Sequence, residues 1–263
     1  MSVTEFGSVL GSEMQIAPAQ PAQAQPRTQQ LLHLPTWTRL RVATKQRTPC
    51  GRGGDFFEVF QHRDGTVSTV MADVCGNGPS AAASVSDVRW KLRQHLARGE
   101  APGAVLAAVN DWLADHKTHE KFVTAVCARI DVRRGLAEVA TAGHLGPFVK
   151  RGAGKTESLA TVAGMPLGVF ASQVYQEMTL ELHPEDAIVL VTDGITDRLA
   201  SASDLLGQTA LTRLLAAAPH TAEHICDALL RAGAKDQDAT VVVLQMPARH
   251  RRSTPISNPV KGR

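Results

Sequence analysis

The order in which β-type and helical stretches follow one another constrains this chain more than any other feature. Short runs rich in β-branched and apolar residues occupy Thr38 to Ala43, Phe57 to Phe60 and Thr66 to Ala72. Two helical stretches then come as a block, Pro79 to Arg98 and Pro102 to about His116, each with a proline in its first turn, where the missing N–H is harmless. Val105, Leu106, Val109, Trp112 and Leu113 recur at helical spacing in the second and form one apolar face. Strand-like runs resume at Phe122 to Ile130, Leu136 to Ala140, Phe148 to Lys150, Val174 to Leu182 and Ala187 to Thr192. A second helical pair follows, Leu205 to Ala217 and Thr221 to Ala232, broken at Pro219 and with Thr221 as N-cap, before a last strand at Thr240 to Gln245. Turn residues such as Arg63-Asp64-Gly65 and His183-Pro184-Glu185-Asp186 separate neighbouring strands. Helices gathered in pairs between blocks of strands predict an α+β fold with hairpin-connected, mainly antiparallel sheets, not a βαβ alternation.

The ends differ from this body. Residues 1–33 interleave Gln15, Gln20, Gln23, Gln25, Gln29 and Gln30 with Ala and Pro, and cannot bury enough apolar surface to offset the entropy of ordering. They are expected to be a disordered leader, residues 247–263 a disordered basic tail, and residues 34–246 a single folded domain. The formal charge of +3 arises in that tail, from Arg249, Arg251, Arg252, Lys261 and Arg263, and the body without it is slightly acidic. A nucleic-acid groove is therefore not expected. Cys50, Cys75, Cys127 and Cys226 are too widely spaced for a zinc knuckle or a redox pair, and point to reduced thiols in a cytoplasmic protein. No apolar run approaches the ~18 residues of a membrane span, and the N-terminus, with Glu5, lacks a basic signal-peptide start.

Four acidic patches punctuate the body: Gly53-Gly54-Asp55-Phe56, Ala72-Asp73-Val74-Cys75-Gly76-Asn77-Gly78, Thr192-Asp193-Gly194-Ile195-Thr196-Asp197 and Asp236-Gln237-Asp238-Ala239-Thr240. Three of them begin or end an apolar strand-like run, where a rigid backbone holds a short carboxylate still. A hard divalent ion such as Mg²⁺ or Mn²⁺ takes carboxylate, carbonyl and water oxygens, so the four together suit one oxygen-rich metal site. Any one alone reads as a turn. Gly53-Gly54-Asp55-Phe56-Phe57 also approaches the signature of diguanylate cyclases, but Phe56 stands where that signature needs an acid.

The order of six motifs resembles the SpoIIE-like metal-dependent protein phosphatases, bacterial relatives of protein phosphatase 2C. They are Gly53-Gly54-Asp55-Phe56-Phe57-Glu58, Ala72 to Gly78, Phe122-Val123-Thr124-Ala125, Ala142-Gly143-His144, Pro166-Leu167-Gly168 and Thr192 to Asp197, and the resemblance spans about Arg47 to Leu244. It implies a four-layer α-β-β-α sandwich of two mainly antiparallel sheets flanked by helix pairs. It also implies a binuclear Mn²⁺ or Mg²⁺ centre that hydrolyses phosphoserine or phosphothreonine on a protein. By position, Asp73 resembles the bridging carboxylate, Asp55 a ligand of one ion, the Val74 carbonyl a backbone ligand and Asp193 a ligand of the other ion. The substrates implied are small STAS-type anti-sigma-factor antagonists in partner-switching circuits. Dimerisation, as a homodimer, or docking of a partner on the helix pair 79–116 is the external switch expected for a chain of this layout.

The sequence departs from that pattern in places. The last motif carries Gln237-Asp238 where two adjacent aspartates are usual, so Asp238 or Asp236 is expected to supply the ligand. Loss of the second ion would instead leave a phosphatase-like binding module. Phe57 and Glu58 replace the more usual Tyr and Asp, and Cys75 stands where Ser is frequent. His144 in its Gly-rich turn is read as structural, with general acid as the alternative, and Arg52 beside the glycine pair as an exposed charge or a phosphate-steering one.

Overall fold

Alternation of side chains along β-strands decides both the layering of the molecule and where its acidic groups point. The computed structural model describes residues 40–49, 53–75, 78–115, 122–201, 203–204 and 207–248. In chain order the elements are β1 (Arg41–Arg47), β2 (Asp55–Gln61), β3 (Thr66–Val74), α1 (Gly78–Ala97), α2 (Pro102–Asp115), β4 (Val123–Asp131), β5 (Leu136–Ala142) and β6 (Phe148–Lys150). There follow β7 (Thr156–Ser158), β8 (Ala163–Gly164), β9 (Met178–Glu181), β10 (Ala187–Val191), α3 (Asp193–Thr196), a 3₁₀ turn at Asp197–Leu199, α4 (Gln208–Ala217), α5 (Ala222–Ala232) and β11 (Ala239–Gln245). One sheet runs β1-β11-β10-β6-β7 and the other β2-β3-β4-β5-β8, with β9 also paired to β5. Every pairing is antiparallel except β5 with β8.

The longest strands, β3 and β4, pair from Thr66 opposite Asp131 to Val74 opposite Val123. Val70, Ala72 and Val74 of β3 pack against Val88, Leu92, Val105, Leu106 and Val109 of α1 and α2. Val67 and Met71, on the other face, meet Ile188 and Leu190 of β10 and Val242 and Leu244 of β11 in the layer between the sheets. The far face of that second sheet, with Val189, Val191, Val241 and Val243, is covered by Leu211, Leu215, Ile225 and Leu229 of α4 and α5. This is the expected α-β-β-α sandwich. Its central strands are buried on both faces, which is why their sequences read as continuous apolar runs rather than clean alternations. Full burial of each Leu or Val contributes roughly 1.5–3 kcal/mol.

Period-2 geometry then fixes the polar residues at the strand ends. Asp55 lies opposite Asp73, and both share the inter-sheet face with Met71. Thr240 and Asp238 continue the inward set of Val242 and Leu244, and Thr192 continues that of Ile188 and Leu190. Glu58 has the opposite parity, so it faces α1, where it is buried and pairs with Arg89 and Arg93. Arg93 also stacks on Phe60, 5.4 Å from the ring centroid, so α1 is tied to β2 twice. On the opposite side of the sandwich Lys150 is buried and its Nζ donates to the Leu215 carbonyl at 2.6 Å, satisfying the C-terminal turn of α4.

Several boundaries move relative to the sequence expectations. The run Val174 to Leu182 shortens to β9, because its first residues form a surface loop held by α2; Val174 is 85% exposed. The two short strands β7 and β8 lacked a sequence signal. Helix α4 starts at Gln208 rather than Leu205, and Thr221 does cap α5, accepting from the His224 N–H. The body reaches past residue 246, since the Pro247 carbonyl accepts from the Glu185 N–H at 3.4 Å. The leader 1–33 and the tail from 249 onward lie outside the described residues.

Candidate functional site

Asp55, the first residue of β2, is buried, and its Oδ2 accepts from Thr192 Oγ1 at 2.7 Å and Thr240 Oγ1 at 2.9 Å. Thr192 Oγ1 in turn accepts from the Thr240 N–H at 2.9 Å. Thr192 precedes α3, where threonine usually caps the helix with its hydroxyl, yet it makes no such bond because that hydroxyl serves Asp55. The two threonines come from β10 and β11, so one sheet grips a carboxylate presented by the other. Their bonds oppose ionisation-disfavouring burial, but burial dominates, and Asp73 and Asp238 add like charge; the Asp55 pKa is raised to about 7.

Asp73 is half-buried, and burial followed by the charges of Asp193 and Asp238 raises its pKa to about 6. Both Asp73 Oδ1 and the Val74 carbonyl oxygen lie within 2.5 Å of the point a Gly54 Cβ would occupy, so the two oxygens converge and residue 54 has room only for hydrogen. Asp238 joins from the start of β11. Its carboxylate accepts from the Gly54 N–H, and burial followed by the Asp193 charge raises its pKa. A Cβ on Gly194 would sit 1.8 Å from the Asp238 carbonyl oxygen, so the glycine in Thr192-Asp193-Gly194 is what lets α3 close onto β11. The glycines of the first motif thus make room for Asp73 and Asp238 rather than for Asp55 itself.

Asp193 opens α3 and is exposed, acting on Asp73, Asp238 and Asp197 through its charge. The candidates Asp55, Asp73, Val74, Asp193 and Asp238 are therefore brought to one place by four separate segments of chain. Asp236 and Gln237 are exposed, and of the last patch Asp238 is the residue that reaches the cluster. Thr192 and Thr240 stand inside motifs visible in the sequence, but their roles were not foreseen; strand parity from Leu190 and Val242 is the signal that places their hydroxyls between the sheets.

The ion pairs among the described residues engage other carboxylates, so among those residues this cluster has no cationic partner. No three His, Cys, Asp or Glu side chains among the described residues are gathered tightly enough to hold an ion unaided. The three raised carboxylates owe their shifts first to burial and then to the like charges of their neighbours. The donor set, carboxylates plus the Val74 carbonyl, is hard and oxygen-only, and fits Mg²⁺ or Mn²⁺ completed by water.

Beside the cluster opens a cavity of about 730 Å³, with Asp73, Thr192 and Asp193 on one wall and Phe122, His144 and Thr161 among the rest. His144 Nδ1 lies 3.0 Å from the Leu145 carbonyl, which can only accept, so that nitrogen carries the proton. Burial lowers the His144 pKa, against the raising effects of that carbonyl and of Asp193, so the neutral ring is favoured and a general-acid role is not. Burial, then Asp73 and Asp193, push the Cys75 thiol up, which makes it a poor nucleophile and a poor oxidation sensor. Cys75, Cys127 and Cys226 are free thiols; Cys50 and Arg52 lie outside the described residues. No helix among the described residues is long and apolar enough to cross a membrane.

Comparison with known proteins supports this fold. Protein IcfG of Synechocystis sp. (strain ATCC 27184 / PCC 6803 / Kazusa) is 25% identical over 191 residues, covering 62% of this chain and 30% of its own length. Phosphoserine phosphatase RsbP of Bacillus subtilis (strain 168) is 24% identical, covering 56% of this chain and 38% of its own length. Phosphoserine phosphatase RsbU of the same organism is 25% identical, with 55% and 43% covered. The chain thus spans less than half the length of each of these relatives. Among solved structures, the RsbU and RsbW domains of Rv1364c from Mycobacterium tuberculosis superpose with a TM-score of 0.69 at 25% identity, covering 80% of this chain and 61% of that one. The PP2C phosphatase domain of SpoIIE from Bacillus subtilis gives 0.67 at 20% identity, with 80% and 65% covered, and shares the fold. The family model for stage II sporulation protein E (SpoIIE) matches residues 63–247, most of the chain and all of the cluster except Asp55, and this chain belongs to that family.

Proposed function

We propose that this chain is a metal-dependent protein serine/threonine phosphatase. The observation that carries this reading is the convergence of Asp55, Asp73, Asp193 and Asp238, without a cationic partner among the described residues, at the edge of a cavity open to a substrate. Asp55, Asp73 and the Val74 carbonyl would hold one of a pair of Mn²⁺ or Mg²⁺ ions, and Asp73, Asp193 and Asp238 the other. Such ions, when bound, supply the positive charge that offsets the phosphoryl oxygens and lowers the pKa of water. RsbX, another structural neighbour at 16% identity, was solved in complex with magnesium.

The residues of this chain divide the remaining work. Thr192 and Thr240 hold Asp55 in one orientation before substrate arrives, so no reorganisation is needed at that position during reaction. Asp73 is placed by its strand pairing with both Asp55 and Thr124. The hydroxyls of Thr124 and Thr161 and the unprotonated Nε2 of His144 line the cavity as uncharged groups able to orient the phosphorylated residue. Water adds to phosphorus, the bond from phosphorus to the seryl or threonyl oxygen breaks, and the freed alcohol takes a proton. The cavity offers no thiolate to serve as a covalent nucleophile, since Cys75 is held as a thiol.

The substrate class is a phosphorylated protein, and RsbP and RsbU, both named phosphoserine phosphatases, favour phosphoserine. Resemblance extends this to STAS-type anti-sigma-factor antagonists. Asp238 within reach of the other acids favours the enzyme over the metal-poor binding module, whose support was Gln237. Purified chain with Mn²⁺ should release phosphate from a phosphoserine peptide, stop on chelation, and lose at least about a thousandfold of its rate in Asp73→Asn, as expected when transition-state charge stabilisation is removed. Release of phosphate by Asp73→Asn at the wild-type rate would end this reading.

A further inference from the structure

The longest uncharged stretch of the chain, with no charged residue or histidine between Glu157 and Glu177, lies on the surface. Leu167 and Tyr175 anchor it in the core, but other large apolar side chains are not tucked in: Val174 is 85% exposed, Phe170 59% and Val162 57%, with Met165 exposed as well. Such a patch loses free energy to water unless something covers it, and on folded proteins it marks an interaction surface. The loop is nevertheless firmly held. Buried Asn110 of α2 accepts from the Gly168 N–H at 3.0 Å and donates to the Phe170 carbonyl at 2.9 Å, and Asp111 accepts from the Ser172 N–H at 2.7 Å. Leu167 exchanges two backbone hydrogen bonds with Val123, at 2.8 and 3.1 Å, which seats the loop against the start of β4. The apolar side chains are thus presented by a preorganised backbone, which lowers the entropy cost of binding.

The position of the loop selects its occupant. Its first residues, Leu159 to Thr161 and Ala163, are themselves a wall of the cavity that holds Asp73 and Asp193, and Phe122, 43% exposed, lies at the same cavity beside Val123. A polypeptide that places a phosphorylated residue beside those aspartates meets this lip as one wall of the cavity, across from Thr196, Asp197 and Gln208, and the lip is the wall that leads on to an exposed apolar loop. From there Val162, Met165, Phe170 and Val174 continue the apolar surface outward along α2, whose residues from Asn110 back to Gly103 hold the loop from Gly168 to Glu177. A charged residue carried over the lip would give up hydration with no counter-charge to replace it.

We propose that the 159–176 loop is the substrate-docking lip of this enzyme, selecting phosphoproteins whose surface around the phosphorylated residue is apolar and uncharged. This rests on the phosphatase reading above and adds what that reading leaves open, the chemistry by which one phosphoprotein is preferred over another. Phe170 and Val174 are specificity residues under this assignment, too far along the lip to touch a phosphoryl group in the cavity.

The test uses the full chain with Mn²⁺ and three substrates: p-nitrophenyl phosphate, a phosphoserine peptide flanked by leucine and valine, and the same peptide flanked by lysine and glutamate. The expected result is a kcat/KM about tenfold higher for the apolar peptide, the factor for burying roughly two methylene groups. In a Phe170→Ser/Val174→Ser double variant the two peptides should come within about twofold of each other through KM, with p-nitrophenyl phosphate turnover reporting the reaction centre alone. Equal kcat/KM for the two peptides in the wild type, or an undiminished preference in the double variant, overturns the docking assignment while leaving the phosphatase intact. A wild-type dimer that the double variant converts to monomer, with the preference unchanged, overturns it in favour of a second copy of this chain. Failure to turn over any of the three substrates removes the phosphatase reading and the lip with it.

Discussion

The two ends of β10 handle a buried carboxylate in opposite ways. Ahead of the strand, Asp186 is buried and fully served: it accepts from Arg151 Nη1 at 2.8 Å and from the Gly152 and His183 N–H groups at 2.9 Å each. Although burial raises its pKa, these donors and the Arg151 charge prevail and hold it below 3.8. Beyond the strand, Thr192 reaches Asp55, which is equally well buried but meets hydroxyls and other carboxylates, and its pKa rises to about 7. Both side chains are out of solvent; the difference lies in the partners, two backbone N–H groups and the Arg151 guanidinium for Asp186 against two hydroxyls and neighbouring carboxylates for Asp55. Asp186 has a guanidinium partner and serves stability, whereas no ion pair among the described residues reaches the Asp55 cluster, a counter-charge that the proposed divalent ions would supply. Perturbed carboxylates grouped in a cleft mark a functional site for this reason.

The comparison can be broken first at its hydroxyls. Thr192→Val with Thr240→Val removes both donors to Asp55 while nearly conserving volume, and phosphate release should fall about 10–100-fold, as when second-layer partners of metal ligands are removed. A double variant with wild-type kcat and unchanged Mn²⁺ affinity would mean that the grip on Asp55 is incidental. Asp186→Asn should act on stability alone, costing about 2 kcal/mol in denaturant unfolding by replacing a carboxylate that accepts from Arg151, Gly152 and His183 with a neutral amide that has one acceptor oxygen fewer, with activity per folded molecule unchanged.

Acid sharpens the same contrast. Because the folded-state pKa of Asp186 lies below its ordinary value of 3.8, its contribution is present above that value and is lost as pH falls through it toward the folded pKa. Unfolding of wild type and Asp186→Asn should therefore converge below about pH 4, and parallel curves down to pH 2 would contradict the assignment. The smallest effect is expected at Asp236. It is exposed, and Asp236→Asn should leave both phosphate release and melting temperature as in wild type, whereas Asp238→Asn should impair release.

Much of this could be read from the sequence, for identifiable physical reasons. Blocks of strands and paired helices specify the sandwich because each amphipathic layer must cover another. The acidic motifs were visible because strand ends and close-approach glycines leave local marks. The strand-like run from Val174 is shorter in the structure because the residues ahead of Met178 do not pair in the sheet: Val174 is exposed, Tyr175 is buried and Glu177 accepts from the Gly103 N–H of α2. Thr192 and Thr240 were missed because their partner lies 137 and 185 residues away, a relation no local pattern records. The choice between Asp236 and Asp238 was open in the sequence, and parity does not make it, since both share the phase of Thr240; Asp238 is selected because it adjoins β11 and accepts from the Gly54 N–H, while Asp236 is exposed.

The central claim, that four aspartates from separate segments form one divalent-cation site, is tested most directly by calorimetric titration of the metal-free protein with Mn²⁺. The account predicts uptake of two ions at micromolar concentration by the wild type and loss of that uptake in Asp73→Asn. No uptake by the wild type, or the same stoichiometry and affinity in Asp73→Asn, would contradict it.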